Sequence, residues 1–270
     1  MIQTKIKGLK GKLLNRIQYI SLIEAGENFP KAISVFEPYS YIKNTNYTIE
    51  DRAKLQNDLY FSIINDINKL SMSFPQLKPL KMYVIKGQLI FLKSVFMEFR
   101  HKVPVYPKGI KKQYFENISN PKEFFDALKE SIFYEALESV PETSYLFHLE
   151  LCYLAYREKC LSKYPQLKKI ARAEIDIANS IITKSSNSLI PTSINSKRYD
   201  LKNSIFLKKE SSEKEYTMYL KNLYRRAAIF NNDPIFNIAY YFFLKEAEIK
   251  NLITIIEGIR YRENIISRLF

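Results

Sequence analysis

Long stretches of this 270-residue chain lack both proline and glycine, and apolar residues recur in them every three or four positions. Only six glycines occur in the whole chain, and its eleven prolines lie mainly between the periodic stretches. Apolar residues at this spacing form one face of an α-helix, whereas proline ends or kinks a helix. The sequence therefore predicts an almost wholly α-helical protein of about ten helices.

Proline and polar segments set the predicted helix boundaries, because proline lacks the backbone N–H that a helix interior needs. Long periodic segments are read as helices and shorter ones as single turns or short pieces. The long predicted helices span residues 2–25, 50–73, 78–101, 121–137, 142–163, 166–185, 212–230 and 234–258, and short pieces lie near residues 30–36 and 262–269.

Two segments interrupt the helical pattern most clearly. Residues 185–196 are polar and contain a proline, and residues 101–112 contain two prolines followed by a glycine. Segments of this composition commonly join folded units. We therefore expect three helical lobes, at residues 1–105, 106–190 and 191–270.

Composition favours an ordinary globular protein. Hydrophobic residues make up 46% of the chain and charged residues 26%, so a substantial core can form. No apolar run approaches the roughly 20 residues that a membrane-spanning helix needs. The amino-terminal lysines are not followed by the apolar core of a secretory signal. We expect a protein that stays in the cytoplasm, either soluble or peripheral to a membrane.

Few residues could bind a metal ion or form a disulfide framework. The two cysteines, Cys152 and Cys160, lack a CxxC partner, and the only histidines are His101 and His148. Structural zinc sites need four closely spaced ligands of these types. We therefore expect no metal site and no cofactor.

The formal net charge of +14 leaves two kinds of partner open. Nucleic acid and an anionic membrane surface both attract a basic protein. The basic residues are interspersed with 28 acidic ones and form no uninterrupted block, which argues against a nucleic-acid interface. A basic, all-helical nucleic-acid-binding protein remains the alternative function, and an enzyme with an unrecognised site is a third.

The most distinctive motif lies in the predicted helix at residues 234–258. Its apolar stripe consists of Ile249, Leu252, Ile253 and Ile256. Glu246 and Glu248 lie on the two borders, each about 80° from the centre of the stripe at 3.6 residues per turn. A carboxylate there can be half buried and still reach a cationic or amide partner.

A similar pattern occurs 72 residues earlier. Glu174, Asp176 and Asn179 repeat the order of Glu246, Glu248 and Asn251. Residues 86–92 keep the apolar spacing alone and form a possible third, degraded copy. Self-similarity of this kind indicates a candidate internal repeat.

Several segments of the chain resemble one known family. The carboxy-terminal residues Asp233-Pro234-Ile235, Ala239-Tyr240 and Lys245-Glu246-Ala247-Glu248-Ile249-Lys250-Asn251-Leu252 are similar to the signature of the C/d family of the rotary V/A-type ATPases, whose eukaryotic members are the d subunits. The basic opening with Leu13-Leu14 and Tyr19 resembles the start of that family's sequences. His148-Leu149-Glu150-Leu151, followed by Tyr156 and Tyr164, is similar to the middle lobe.

The resemblance implies a fold and a function. The family consists of three related helical lobes arranged as a funnel. Its members are non-catalytic central-stalk components of the rotary motor, between the shaft subunits D and F and the membrane proteolipid ring, on the cytoplasmic face. Such a chain transmits torque for ATP-driven transport of protons or sodium ions, or for ATP synthesis. It needs no nucleotide-binding loop, and neither GxxxxGK[ST] nor GxGxxG occurs here.

The motif residues have alternative roles. Glu174, Asp176, Glu246 and Glu248, with Lys245, fit ion pairs inside a lobe better than contacts with the shaft. Acids two apart on a helix point about 200° from each other, which argues against paired acid and base catalysis. Asn179 and Asn251 are expected to cap or bridge backbone groups. Arg225 and Arg226 fit either a solvated helix face or contact with an acidic partner.

Overall fold

The computed structural model describes residues 2–25, 28, 32, 52–75, 79–97, 118, 120–138, 141–142, 145–185 and 213–261. Of the residues that can be interpreted, 84% are helical and none lies in a β-strand. The predicted all-α fold class is therefore confirmed. The funnel of three lobes stays a prediction.

The described residues form ten helices. They are α1 (Ile2–Lys10), α2 (Arg16–Glu24), α3 (Arg52–Ser73), α4 (Leu80–Met97), α5 (Pro121–Ala127), α6 (Tyr134–Leu137), α7 (Tyr145–Cys160), α8 (Pro165–Ser185), α9 (Glu213–Phe230) and α10 (Pro234–Tyr261). Ala32 apart, the short piece predicted near residues 30–36 lies outside the described residues, as does the one near 262–269.

The continuous helix predicted over residues 2–25 is wrong, because the chain forms two helices there. Asn15 caps the second one: its side chain accepts a hydrogen bond of 3.1 Å from the Gln18 amide, and the Gln18 side chain accepts one of 2.8 Å from the Asn15 amide. This reciprocal capping box satisfies amides that the first turn of a helix leaves without partners. A new helix therefore begins at Arg16.

The helix predicted over residues 121–137 is also divided. The Asn120 side chain accepts a hydrogen bond of 3.0 Å from the Glu123 amide, and Pro121 occupies the first position of α5. Both features favour a helix start. A turn follows, in which the Ser131 hydroxyl accepts a hydrogen bond of 3.2 Å from the Phe133 amide, and α6 is a separate single turn.

Two compact units divide the chain differently from the predicted lobes. The first unit comprises residues 1–69 and 213–270, and the second comprises residues 70–212. The amino-terminal and carboxy-terminal helices thus share one unit. The predicted lobe junction at residues 101–112 lies outside the described residues, and so does 186–196 of the other junction.

The first unit is organised around α10, which packs against α1, α2 and α9. Ile249, Leu252 and Ile256 of the predicted stripe are buried, whereas Ile253 is half-buried. Ile255 is buried as well. A helix with neighbours on several sides buries more of its circumference than one narrow stripe, which accounts for this difference.

In the second unit, α7 is the central helix and packs against α4, α6 and α8. Aromatic rings fill part of this core. The Phe96 ring lies edge-on to Phe124 with centroids 5.2 Å apart, and Phe125 stacks on Tyr134 at 4.7 Å. Both separations suit favourable aromatic pairs.

Truncating the core of α10 is expected to destabilise the fold strongly. Leu252 is fully buried, so Leu252→Ala should lower the free energy of unfolding by about 2–5 kcal/mol. Ile229→Ala, on an exposed position of α9, should change it by less than about 0.5 kcal/mol. Urea unfolding followed by circular dichroism measures both. Equal effects of the two substitutions would contradict this packing of α10.

Candidate functional site

Three charged or polar side chains are buried along α10. Lys245, Glu248 and Asn251 are each 5% exposed or less, although they belong to residue types that usually remain in water. A charge removed from water destabilises a fold unless it gains partners. The partners of these side chains therefore define the site, which we name the α10 polar cluster and which also includes Asp66, Tyr241 and Tyr19.

Lys245 lies beside a carboxylate of α3. Its ammonium Nζ is 3.8 Å from Asp66 Oδ2, and the Tyr241 hydroxyl donates a hydrogen bond of 2.6 Å to the same oxygen. Burial lowers the pKa of Lys245 to about 8, and the negative charges of Asp66 and Glu248 only partly oppose this. Desolvation thus outweighs ion pairing at this lysine.

Tyr241 is held neutral by its surroundings. Burial raises the pKa of its hydroxyl, and the neighbouring Asp66 carboxylate raises it further. The tyrosine therefore acts as a hydrogen-bond donor to Asp66 across the physiological pH range. It links α10 to α3 together with Lys245.

Glu248 binds the turn between α1 and α2. Its carboxylate accepts a hydrogen bond from the backbone amide of Leu14. One helical turn further along α10, Asn251 is hydrogen-bonded to Tyr19 of α2, whose pKa is raised by burial and by Glu248. These contacts join residues more than 230 positions apart in sequence.

The remaining predicted residues of the first unit lie outside this cluster. Glu246 is half-buried on α10, as its position at the border of the stripe predicts. Arg225 and Arg226 are exposed on α9. The positive charge of Arg225 lowers the pKa of Tyr240, against the larger raising effect of burial.

The second unit contains its own buried ion pair. Arg157 of α7, which is 6% exposed, donates to Glu174 of α8 through Nη1 and, at 3.5 Å, through Nη2. Asp176, two residues on, is half-buried, and burial raises its pKa. The Asn179 side chain lies outside the described residues.

The two copies of the candidate repeat use their acids differently. In α8 the first acid, Glu174, reaches a buried cation, whereas in α10 the second acid, Glu248, is the buried one. Among the apolar positions, Ile177 and Ile249 are both buried. The two copies therefore differ in the burial of their second acid, since Asp176 is half-buried and Glu248 is buried.

The partners of the buried charges were not predicted from the sequence. Asp66 lies among apolar residues at core spacing in α3, which is the only signal that it lies near the core. Glu158 is 3% exposed and contacts Arg172 at 3.1 Å and Lys168 at 3.7 Å. Lys168 and Arg172 are four residues apart on α8, a spacing that places both on one face.

The contacts of the α10 polar cluster are of a kind that holds helices together. Asp66 is engaged by Tyr241 and Lys245, and Glu248 by a backbone amide. Lys245, Glu248 and Asn251 are all buried from solvent. Within the described ranges, no group of three or more metal-ligating side chains is placed to hold a metal ion. The cluster thus joins α3, α10 and the α1–α2 turn.

Comparisons with protein-family models, with curated proteins and with solved structures found no match to this chain. Within the part of the chain that the structure describes, no helix is sufficiently long and apolar to cross a bilayer. The function is therefore inferred from the contacts within the chain.

The α10 polar cluster predicts a specific pH dependence of stability. Unfolded Lys245 keeps its proton up to about pH 10.5, whereas the folded protein releases it near pH 8. The buried charge therefore destabilises the fold below pH 8, and this penalty is lost as pH rises. Relative to Lys245→Met, the wild type should gain about 2 kcal/mol of unfolding free energy between pH 8 and about pH 10.

Urea unfolding of both proteins at several pH values provides the measurement. Lys250→Met is the matched control, because Lys250 is an exposed lysine on the same helix. Its stability difference from the wild type should stay nearly constant over this range. Above about pH 10 the raised pKa values of Tyr19 and Tyr241 act in the opposite direction, so the comparison ends there. A pH-independent difference for Lys245→Met would contradict the assigned cost of its burial.

Proposed function

We propose that this chain is a non-catalytic central-stalk subunit of a V/A-type rotary ATPase or ATP synthase, of the C/d family. In this role it couples the shaft subunits D and F to the membrane proteolipid ring, at the cytoplasmic face of the membrane. It carries no catalytic site or cofactor of its own. Ion transport or ATP synthesis is then the activity of the assembled complex.

One observation carries the proposal. The amino-terminal and carboxy-terminal segments that resemble the C/d family contact each other in the first unit. The Leu14 amide of the Leu-Leu pair donates to Glu248 of the carboxy-terminal motif, and Tyr19 is hydrogen-bonded to Asn251. Residues that are far apart in sequence and carry one resemblance therefore belong to one local structure, as parts of a single motif would.

The mechanical demands of a stalk agree with these contacts. A protein that transmits torque must resist deformation, and closely packed helices that are joined by buried ion pairs resist it. In the second unit, Glu174 is held by the Arg157 guanidinium, and Glu158 by two cations of α8. Breaking such buried pairs is costly, so both units have internal ties suited to this role.

Exposed aromatic and cationic side chains suit broad protein contacts. Met218 and Tyr219 lie at the surface of α9, and methionine and tyrosine are enriched in protein interfaces. The net charge of +14 favours acidic partner surfaces. We assign partner binding to the surface and fold maintenance to the α10 polar cluster.

Co-purification tests the proposal. The tagged chain, expressed in its native cells, is extracted from membranes in mild detergent, and the retained proteins are identified by mass spectrometry. We expect the shaft subunits D and F and the proteolipid ring to be retained through a wash at about 0.5 M salt, which screens loose charge contacts. A tagged, unrelated helical protein of similar net charge is the control.

Other outcomes would reject the rotor role. Retention of nucleic acid that nuclease treatment removes, without any ATPase subunit, would favour the nucleic-acid-binding alternative. Equal recovery of ATPase subunits with the control protein would show that charge alone explains the association. Either result leaves the all-helical fold intact and removes this function.

A further inference from the structure

Two adjacent large apolar side chains are exposed where α9 ends. Ile229 is 63% exposed and Phe230 is 78% exposed. We name this pair the apolar tip. Single exposed apolar residues are common on proteins, whereas contiguous exposed apolar surface marks interaction sites more often.

Two side-chain hydrogen bonds order the connection that follows the apolar tip. The Asn231 side chain donates a hydrogen bond of 2.7 Å to the Ala227 carbonyl at the end of α9. The Asp233 carboxylate accepts one of 2.9 Å from the Ile235 amide at the start of α10. These contacts satisfy backbone groups at both helix ends. Phe230 is therefore exposed at the ordered end of α9, next to the connection to α10.

Cations lie one helical turn behind the apolar tip. Arg225 and Arg226 are exposed, and neither makes an ion pair or a hydrogen bond with another described residue. Four residues of α-helix separate them from Ile229 and Phe230, which corresponds to about 6 Å along the axis. The two arginines can therefore contact the surface of a ligand into which the apolar tip has inserted.

A third cation comes from α1. The Lys10 ammonium donates a hydrogen bond of 3.1 Å to Asn237 in the first turn of α10 and lies 4.6 Å from the centre of the Tyr240 ring. Asn237 is only a few residues from the connection that carries the apolar tip. We name Arg225 and Arg226 the cationic collar; Lys10, which is half-buried and already bound within the chain, adds positive charge near it. The effect of the Arg225 charge on the pKa of Tyr240 is in line with this proximity.

We propose that the apolar tip and the cationic collar together dock the protein on the surface of an anionic phospholipid membrane. Ile229 and Phe230 enter the boundary between head groups and acyl chains, and the collar contacts lipid phosphates. The proposal does not rest on the rotor function, because it follows from these side chains alone.

The dimensions favour a membrane over other anionic partners. Interfacial segments immerse their apolar side chains by about 5–10 Å, which matches the distance between tip and collar. A stable protein interface buries about 800 Å² on each partner, which is far more than the two side chains of the apolar tip provide. Nucleic acid would engage the cations but would not need Ile229.

Vesicle binding by the purified full chain tests the proposal. We expect flotation with phosphatidylcholine vesicles that contain about 30% phosphatidylserine, and little binding to phosphatidylcholine alone. Arg225→Gln with Arg226→Gln should weaken binding about 30-fold, since each cation near an anionic surface contributes appreciably. Ile229→Ser with Phe230→Ser should weaken it at least about tenfold.

Matched controls separate this site from general attraction. Lys159→Gln with Lys163→Gln removes the same charge from exposed positions in the second unit, and Met72→Ser removes an exposed apolar side chain there. Each should change vesicle affinity by less than about threefold. Circular dichroism verifies that every variant remains folded.

The absence of tryptophan in this chain allows a direct readout of insertion. Phe230→Trp introduces a single tryptophan, whose emission should shift to shorter wavelength on addition of anionic vesicles, because the indole leaves water. Met72→Trp places the same reporter in the second unit and should not shift. Indole is well suited to the membrane interface, so the substitution preserves the proposed contact.

Three results would overturn the proposal. One is the absence of binding to anionic vesicles, which would also be the result if the tip instead contacted an acidic protein. Another is equal weakening by the lysine control pair and the Arg225 and Arg226 pair, which would indicate diffuse attraction by the charge of +14. The last is bound Phe230→Trp protein whose emission stays unshifted. None of these results bears on co-purification with ATPase subunits.

Discussion

The buried charges of the α10 polar cluster constrain the first unit most strongly, because each of them needs a partner inside the fold. Since burial lowers the pKa of Lys245 despite two nearby carboxylates, the lysine is tolerated only while its partners stay in place. Asp66 is fixed by Tyr241, and Glu248 by the Leu14 amide. Loss of one partner would leave another charge buried without compensation. The cluster therefore links α3, α10 and the amino-terminal turn into one cooperative structure.

The sequence predicts the helices well where apolar periodicity is unbroken, as in α3, α8 and α10. It fails where a local cap divides a periodic stretch, because Asn15 and Asn120 compete with helix continuation through side-chain hydrogen bonds to the backbone. Glu248 has an amide partner, as expected at the border of the stripe, but it is buried and not half-buried. Asp66 was not predictable as a partner, since 179 positions separate it from Lys245 (245 − 66 = 179) and pairing at that separation depends on the tertiary fold.

The proposed function assigns different tasks to buried and exposed charges. Glu248, Asn251 and Glu174, which are prominent in the motif, bind other parts of the chain. Arg225 and Arg226, with the apolar tip beside them, are exposed and can contact partners. A stalk protein needs both properties, because it must remain rigid while it holds other components. On this proposal, the residues that carry the family resemblance hold the helices together, and exposed surface residues bind the partners.

Amide hydrogen exchange at Leu14 measures how firmly the amino-terminal turn is held to α10, because that amide donates to Glu248. We expect it to exchange at least about a thousandfold more slowly than in an unfolded peptide, at a rate close to those of amides inside α10. Glu248→Ala should remove most of this protection while α10 stays protected. Exchange at the unfolded-peptide rate in the wild type would contradict the claim that Glu248 ties the two segments together.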